Sequence, residues 1–380
     1  MSLSGILLLP SGWHTGSVPM KLWMALLAIA GASLFAGTAY SVVDLGGLGG
    51  TTAAAFSINS SGVTAGWADT VQGNTQALVA GSGLVVGSST LPPFALGSEA
   101  FGINNSGEVV GTQGTHGALW TSAGMTDLGA NVSAMAINDS GQIAGGDGHA
   151  ILITAGGTQD LGTLGGGSWS AAYGISISGE VVGSAMLANG TFRGFTWSEQ
   201  IGMIGLGTLG GNSSYATAVN AEGQVTGATA LGTGYEHAVL YSGGQTIDLG
   251  SLEGSNSYGY AINDAGTVVG YSDGAGNGGM DAFVVYAGGV MIDLNSLIPA
   301  GSGWDLLAAY GINGSGEIVG SGTYDGQSAM FLLNPAATAP AYSLTPSLAS
   351  PIFSTPEPAA GALVAAGLTA LFILRKRVIR

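Results

Sequence analysis

Short apolar runs on either side of an Asn-x-x-Gly turn recur seven times along this chain. In the clearest copy Asn263 follows an apolar pair, Gly266 comes three residues later, and a second apolar run ends at Gly270. Such short runs have the pattern of strands, so each copy predicts a β-hairpin. The Asn side chain can accept hydrogen bonds from the turn backbone, and the Gly can take a positive φ. The copies begin at Ile58, Ile103, Ile137, Ile175, Val219, Ile262 and Ile312.

Each repeat unit contains two further strand signals. One is a polar residue followed by small and apolar residues, and the other ends in Asp-Leu-Gly, with a degenerate copy at 84–88. Four strands that recur at intervals of 34 to 50 residues predict the four-stranded blades of a β-propeller. A parallel β-helix is the main alternative, but its coils are shorter and lack tight hairpins. The polar residues are Gln76, His116, His149, Arg193, His237, Asp281 and Ser328.

The two ends of the repeat region complement each other. The first Asp-Leu-Gly strand, residues 42–45, has no blade of its own, and the last blade, residues 310–333, lacks that strand. We therefore expect the N-terminal strand to complete the seventh blade, which would remove the open edges of the sheet array. The predicted fold is all-β, a seven-bladed β-propeller of four-stranded blades over residues 40–335.

The N-terminal segment, residues 1–39, predicts export. Lys21 precedes the apolar run 22–36, and Gly37, Thr38 and Ala39 are small residues suited to a signal peptidase. This pattern is typical of a secretory signal peptide cleaved after Ala39, with an N-terminal membrane anchor as the alternative. Residues 1–19 would be an extended leader, or the start codon lies further along.

The C-terminal segment changes composition after the propeller. Residues 336–355 are rich in Ala, Pro, Ser and Thr, which predicts an extended linker. Residues 359–374 carry no charge, and Arg375, Lys376 and Arg377 follow them. An apolar run with basic residues behind it predicts a transmembrane helix whose C-terminus is cytoplasmic.

Residues 356–380 resemble a known sorting signal. The tripeptide Pro356, Glu357 and Pro358, a short apolar helix and the basic cluster Arg375, Lys376 and Arg377 stand in the order of the PEP-CTERM signal of Gram-negative bacteria. The resemblance implies that an exosortase recognises the tripeptide, cleaves nearby and passes the protein outward. A plain tail anchor is the alternative. The implied location is secreted or cell-surface, with transient anchoring in the inner membrane.

The repeats themselves resemble HAF-type extracellular repeats, which are named after a His-Ala-Phe strand. His149-Ala150 and His237-Ala238 match in the first two positions, and Ala282-Phe283 matches in the last two. Gly207-Thr208-Leu209-Gly210-Gly211 also fits the pattern. The resemblance implies an exported bacterial protein and gives no reaction.

The charge distribution excludes a class of partners. Arg193 is the only Lys or Arg between residues 22 and 374, and of the 22 acidic residues all except Glu357 lie in the repeat region. Such a domain repels phosphate backbones, so we expect no nucleic-acid binding. The chain has no cysteine, which excludes disulfides and thiolate chemistry.

Candidate chemistry is weak. His116, His149 and His237 occupy one strand position in different blades, which predicts a structural role rather than a metal site. The Asp of Asp-Leu-Gly also recurs, as a turn-capping or interblade residue would. The loop 273–281 could bind calcium, but its spacing fits no strict calcium-loop motif and is more typical of a plain surface loop. The insertion 296–307 with Trp304 and Asp305 could line a ligand site at the ring face.

The sequence contains no serine elbow, phosphate loop or dinucleotide motif. We therefore expect no catalytic residues, cofactor or metal. The predicted function is a non-catalytic surface or matrix module that binds an exopolysaccharide or another surface protein. The alternatives are a secreted propeller enzyme that acts on glycans through carboxylates, and a calcium-stabilised adhesin.

Overall fold

Seven four-stranded antiparallel sheets make up the described part of the chain, as the repeat predicts. The structure is a computed structural model that describes residues 39–81, 84–86, 97–274 and 279–336. In each sheet the four strands follow one another as a simple meander, with a single exception in the last sheet. The all-β, seven-bladed prediction with four strands per blade is therefore confirmed.

The strand bounds follow the chain order. The first half contains β1 Tyr40–Asp44, β2 Gly49–Ile58, β3 Thr64–Thr70, β4 Thr75–Gly81, β5 Leu84–Val86, β6 Ser98–Ile103, β7 Val109–Gln113, β8 His116–Thr121, β9 Gly124–Ala130, β10 Ser133–Ile137, β11 Ile143–Gly146, β12 Ala150–Thr154 and β13 Gly157–Asp160. The second half contains β14 Trp169–Ile175, β15 Val181–Met186, β16 Phe192–Ser198, β17 Gly202–Gly205, β18 Gly210–Val219, β19 Val225–Leu231, β20 Glu236–Ser242, β21 Gln245–Asp248, β22 Ser257–Ile262, β23 Val268–Asp273, β24 Met280–Val285, β25 Met291–Asp293, a 3-10 helix at Leu294–Leu297, β26 Trp304–Ile312, β27 Ile318–Tyr324 and β28 Gln327–Pro335.

Blades 1 to 6 begin at β2, β6, β10, β14, β18 and β22, and blade 7 consists of β26, β27, β28 and β1. The N-terminal strand β1 pairs antiparallel with β28, with Tyr40 opposite Pro335 and Asp44 opposite Phe331. The next residue extends this pairing, since the Leu45 N–H donates to the Met330 carbonyl at 3.0 Å. The predicted ring closure by the N-terminal strand is thus confirmed. It joins the two ends of the repeat region in one sheet.

The turn motif closes each first hairpin as the sequence predicts. In blade 1 the Asn59 Oδ1 accepts the backbone N–H groups of Ser61 and Val63 at 3.0 Å, and Gly62 has a φ of 75°. Gly62 occupies the left-handed region, which a residue with a Cβ adopts only at a cost.

The same Asn side chains link neighbouring blades. The Asn59 Nδ2 donates to the Asn104 carbonyl at 3.1 Å, and the Asn313 Nδ2 donates to the Asn59 carbonyl at 3.0 Å, which links blade 7 to blade 1. Ser176 has no amide to donate, so the link from blade 4 to blade 5 is missing. The remaining links run from Asn104 to Asn138, Asn138 to Ser176, Asn220 to Asn263 and Asn263 to Asn313.

The Gly that ends each second apolar run of the repeat is the third residue of the second strand, and it allows a close approach of two backbones. A Cβ built at Gly111 would lie 1.9 Å from the Glu99 carbonyl oxygen, and one at Gly227 would lie 1.9 Å from the Tyr215 carbonyl oxygen. No side chain fits at such distances, so the second strand must carry Gly where it pairs with the first strand beside the register shift. The equivalent residues are Gly66, Gly111, Gly145, Gly183, Gly227, Gly270 and Gly320.

Hydrophobic clusters fill the spaces between adjacent blades. Ala77 and Val79 of blade 1, for example, pack with Ala100, Val109 and Trp120 of blade 2. Small residues on the inner strands leave room for one large side chain further out, and Trp120 is 1% exposed. Burial of apolar area between blades, rather than salt bridges, therefore holds the ring together.

Several predictions concern residues outside the described ranges. The leader and apolar run 1–38, the linker 337–355 and the sorting segment 356–380 all lie there, and those predictions stay predictions. Within the described ranges, no helix has the length and apolar character needed to cross a membrane.

Candidate ligand site in the central channel

A β-bulge in the first strand of every blade aims one extra side chain at the ring axis. In β2 the residues Ala55 and Ser57 pair with Gly66 and Ala65, so Phe56 between them has no partner in the ladder. The same shift occurs at the equivalent place in β6, β10, β14, β18, β22 and β26. Bulges redirect side chains, and here the redirected ones line the central channel. They are Phe56, Phe101, Met135, Tyr173, Thr217, Tyr260 and Tyr310.

The channel has two different ends. Towards the Asn-x-x-Gly turns, which we call the turn face, a ring of branched apolar residues narrows it, with Ile58, Ile103 and Ile137 among them. Towards the opposite face, which carries the loops between second and third strands and which we call the loop face, the bulge residues surround a cavity of about 660 Å³. That volume is in the range of small-molecule and cofactor sites.

Aromatic rings form a nearly continuous wall around part of this cavity. Phe56 lies between Phe101 and Tyr310, at ring-centroid distances of 5.8 and 5.1 Å. Tyr310 continues to Tyr260 at 5.1 Å, and Tyr260 stacks on Tyr271 at 5.8 Å. These separations are those of favourable aromatic pairs. The rings therefore support one another and present a pre-formed apolar surface.

One carboxylate interrupts the aromatic wall. Glu236 opens β20, and its Oε2 accepts a hydrogen bond from the Tyr258 hydroxyl at 2.7 Å, while its Oε1 accepts one from Ser213 at 3.3 Å. The Glu236 backbone N–H donates to the Asn256 Oδ1 at 3.0 Å, and the Asn256 Nδ2 donates to Asp273 at 2.7 Å. Glu236 is thus held in place, and all the donors to its carboxylate are neutral.

A second cavity of about 460 Å³ continues from Glu236 along the loop face, between blades 4, 5 and 6. Glu236 and Tyr258 line both cavities, so they stand at the junction of the two. Phe192 lies on the far side of the second cavity, and its ring is 5.8 Å from that of Tyr215 and 5.7 Å from that of Trp169. The combined site is an elongated groove that turns into the channel.

Burial raises the pKa of five tyrosine hydroxyls of the site. Burial raises the pKa of Tyr173, Tyr215, Tyr260 and Tyr271. The pKa of Tyr258 is also raised, first by burial and then by its hydrogen bond to Glu236. The tyrosines therefore remain hydrogen-bond donors at physiological pH.

The histidines pair with the Asp of Asp-Leu-Gly within their own blades. The Nδ1 atoms of His116 and His149 lie 2.9 Å from Asp127 and Asp160, and that of His237 lies 2.8 Å from Asp248. Each Asp also accepts the N–H of the Gly two residues later at 2.8 Å. The pairs have a turn-capping geometry, on the outer part of three separate blades rather than together.

These contacts lower two carboxyl pKa values. The backbone N–H of Gly129, followed by His116, lowers the pKa of Asp127. For Asp160 the hydrogen bond from His149 is the larger cause, followed by Gly162.

Blade 6 has Asp281 at the position that His occupies in three other blades, close enough to Asp293 for the two carboxyls to interact. Burial raises the pKa of both carboxyls, and the neighbouring Asp305 adds to the effect. Within the described ranges, no three His, Asp or Glu side chains come together in an arrangement that could hold a metal ion. Residues 275–278 of the loop considered for calcium lie outside the described residues.

The remaining sequence-predicted site residues are placed as follows. Ala39 is the first described residue, and its N–H donates to the Leu297 carbonyl at 3.0 Å. Trp304 belongs to β26, where its ring packs on Tyr324 at 5.1 Å and on Phe331 at 6.4 Å, away from the channel cavity. Pro356, Glu357, Pro358, Arg375, Lys376 and Arg377 lie outside the described residues.

The repeat pattern does not predict the site, because the site consists of departures from the repeat. Four residues before the start of each turn motif the chain has an aromatic residue only in blades 5 and 6, at Tyr215 and Tyr258. Likewise, the position just before the third-strand polar residue is acidic only at Glu236. Both departures are visible when the seven copies of the repeat are aligned with one another.

Comparisons with known proteins concern the fold. No family model matches the chain, and none of the curated proteins matches it. Among solved structures, a puromycin-hydrolysing peptidase of Mycobacterium tuberculosis is similar with a TM-score of 0.50 and 10% identity, over 80% of this chain and 55% of that chain.

Two other solved structures are similar at lower scores. The β-propeller domain of the Trilobed protease from Pyrococcus furiosus has a TM-score of 0.46 and 9% identity, over 74% of this chain and 95% of that one. TolB from Acinetobacter baumannii has a TM-score of 0.37 and 12% identity, over 76% of this chain and 65% of that chain. The chain thus has a β-propeller fold, and likeness at such identities extends no further than the fold.

Proposed function

We propose that this propeller is a non-catalytic carbohydrate-binding module of the bacterial cell surface or extracellular matrix. The observation that supports the proposal is the cavity of about 660 Å³ on the loop face, with its wall of tyrosine and phenylalanine rings and its neutral hydroxyl groups. Aromatic rings pack against the apolar faces of sugar rings, and tyrosine hydroxyls and amides bind sugar hydroxyls. The elongated groove beyond Glu236 gives room for a chain rather than a single unit.

Rigidity supports a binding role. The bulge residues belong to the first strands of a closed ring, and the Asn links join neighbouring blades on the turn face. A pre-formed aromatic surface loses little conformational entropy when a ligand binds. The second-strand Gly residues let the backbones approach closely, which keeps the channel wall in place.

The binding experiment uses the exopolysaccharide of the host as the probe and measures affinity by titration calorimetry. Tyr260→Thr copies Thr217, which blade 5 already has at this position, so the ring tolerates the change. We expect at least about a fivefold loss of affinity because an aromatic contact is removed.

The control variant is Tyr324→Thr, because Tyr324 is 40% exposed and lies outside the channel cavity. It should leave the affinity unchanged. Equal affinity of the Tyr260 variant and the unaltered chain would show that the cavity does not hold the polysaccharide.

A glycan-degrading enzyme is the second candidate, favoured by the presence of Glu236 at the cavity junction. Hydrolysis of a glycosidic bond normally needs two carboxylates, one on each side of the bond. Among the described residues that line the channel cavity, Glu236 is the only carboxylate. Release of reducing ends from the host polysaccharide, abolished by Glu236→Gln, would replace the binding proposal with the enzyme.

Export and sorting are the other half of the proposal. A signal peptide cleaved after Ala39 and an exosortase acting near Pro356, Glu357 and Pro358 would place the propeller outside the inner membrane. The intact mass of the protein in each cell fraction tests this. A species from Tyr40 to about Pro358 in the outer or extracellular fraction is expected, and a species that keeps Arg380 in the inner membrane would refute sorting.

A further inference from the structure

We propose that the junction between the two loop-face cavities selects a glycan with free amino groups, which its carboxylate binds as ammonium ions. This inference rests on the proposed function and names the class of polysaccharide. The ligand would be a polymer of amino sugars that are at least partly not acetylated.

The first argument is the position of Glu236. It lines both cavities, so a chain that runs from the groove into the channel must pass it. Its side chain is only partly exposed, and its contacts are the hydroxyl groups of Tyr258 and Ser213. Neutral donors orient a carboxylate but leave its charge uncompensated, so a cation that binds there gains a charge-assisted hydrogen bond.

The second argument is the absence of a competing cation. Arg193 is the only Lys or Arg in the described part of the chain, and it lines neither cavity. Its Nη1 donates to the Leu206 carbonyl at 3.4 Å instead. A second carboxylate, Asp273, lies close by, because the Asn256 side chain bonds to both Asp273 and the Glu236 backbone. The potential at the junction is therefore negative, which attracts amines and repels uronic acids.

The third argument is the aromatic surroundings. Tyr215 and Tyr258 line the cavity beside Glu236, and Tyr258 stacks on Tyr271 at 5.0 Å. Aromatic rings attract cations through their quadrupole, and rings together with a carboxylate form the usual recognition site for organic ammonium groups. A neutral sugar would gain binding free energy from contact with the rings but none from the charge of Glu236.

The test titrates the full-length chain with three hexasaccharides of equal length, all at about pH 6. The probes are the hexamer of glucosamine, the hexamer of N-acetylglucosamine and cellohexaose. We expect the glucosamine hexamer to bind about tenfold more tightly than the other two, because only it carries ammonium groups. Glu236→Gln keeps the shape and the acceptor for Tyr258, and it should remove this preference.

The control is Glu222→Gln, which makes the same charge change at an exposed residue of the turn face. It should keep the tenfold preference. Equal loss in both variants would mean general attraction to an acidic protein, and it would overturn the inference. Equal binding of all three probes would also overturn it, while the proposed carbohydrate-binding function would stand. Failure of all three probes and of the host polysaccharide to bind would refute both.

Discussion

Ring closure by the N-terminal strand can be tested by a single engineered cross-link. Ser41 of β1 lies opposite Asn334 of β28, at the edge of blade 7. Opposed residues of an antiparallel pair have Cα atoms about 4.5–5.5 Å apart, which is within the range of a disulfide. The natural chain contains no cysteine, so Ser41→Cys with Asn334→Cys introduces the only two thiols.

The expected gain in stability follows from the length of the closed loop. Residues 41 and 334 are 293 positions apart. The chain-entropy relation gives about 5–6 kcal/mol for a loop of this size, and engineered disulfides commonly deliver less. Since about 1 kcal/mol shifts the melting temperature of a large domain by about 2–4 °C, an increase of roughly 5–15 °C is expected.

The assay compares oxidised and reduced protein. Mass spectrometry after proteolysis should identify the 41–334 disulfide, and the melting temperature of the oxidised protein should exceed that of the reduced protein. The control pair is Ser41→Cys with Ser328→Cys, because Ser328 is also exposed and lies in β28 but six residues from Asn334, the partner of Ser41. Cross-linking of the control pair as fast as the test pair, or no cross-link in the test pair, would refute the closure.

Three further predictions test the packing and the charges. Gly111→Ala should lower the free energy of unfolding, measured by chemical denaturation, by more than about 2 kcal/mol, because its Cβ would lie 1.9 Å from the Glu99 carbonyl oxygen. Gly81→Ala is the control: its Cβ would meet open space, so the free energy of unfolding should change little. Ser176→Asn should supply the missing link to the Asn220 carbonyl and raise the free energy of unfolding by about 0.5–1.5 kcal/mol. Asn263→Ser removes an existing link and should lower the free energy of unfolding. Equal free energies of unfolding for the two variants would contradict the role of the links. Burial raises the pKa of Asp281 in the folded protein. Its favourable contribution to folding stability is therefore present below pH 3.8, the ordinary pKa, and is lost as the pH rises through the raised pKa of the folded state. Asp281→Asn should therefore raise the melting temperature at neutral pH but not in acid, and Glu199→Gln, an exposed control, should change neither.

The elements that the sequence predicts correctly are those set by local chemistry. Asn59 and Gly62 form a turn through contacts within five residues, so each hairpin can be predicted from the local sequence without tertiary information. Ring closure can also be predicted from the sequence, because the last blade lacks a strand, residues 42–45 supply an extra one, and an open sheet edge is unfavourable. Even the degenerate fourth strand of blade 1 is present, as Leu84–Val86.

The sequence predicts structural roles for His116 and Asp127 but not the contact between them. Both residues recur at fixed positions of the repeat, which predicts structural roles, and they are 11 residues apart in the chain. Their contact depends on the register between the third and fourth strands of a blade, and that register includes a shift next to Gly117. A repeat pattern shows that two positions are structural, but it does not show that they meet.

The sequence by itself determined the number of blades, the strands within them, the turns and the closure of the ring, because each of these depends on short-range patterns that repeat. Only the tertiary structure decided where the ligand site lies. Phe56 and Tyr260 face one cavity because bulges in separate strands redirect both side chains to the ring axis. Glu236 joins two cavities because three blades meet beside it. Such convergence depends on strand register and on contacts between distant blades, which no local pattern records.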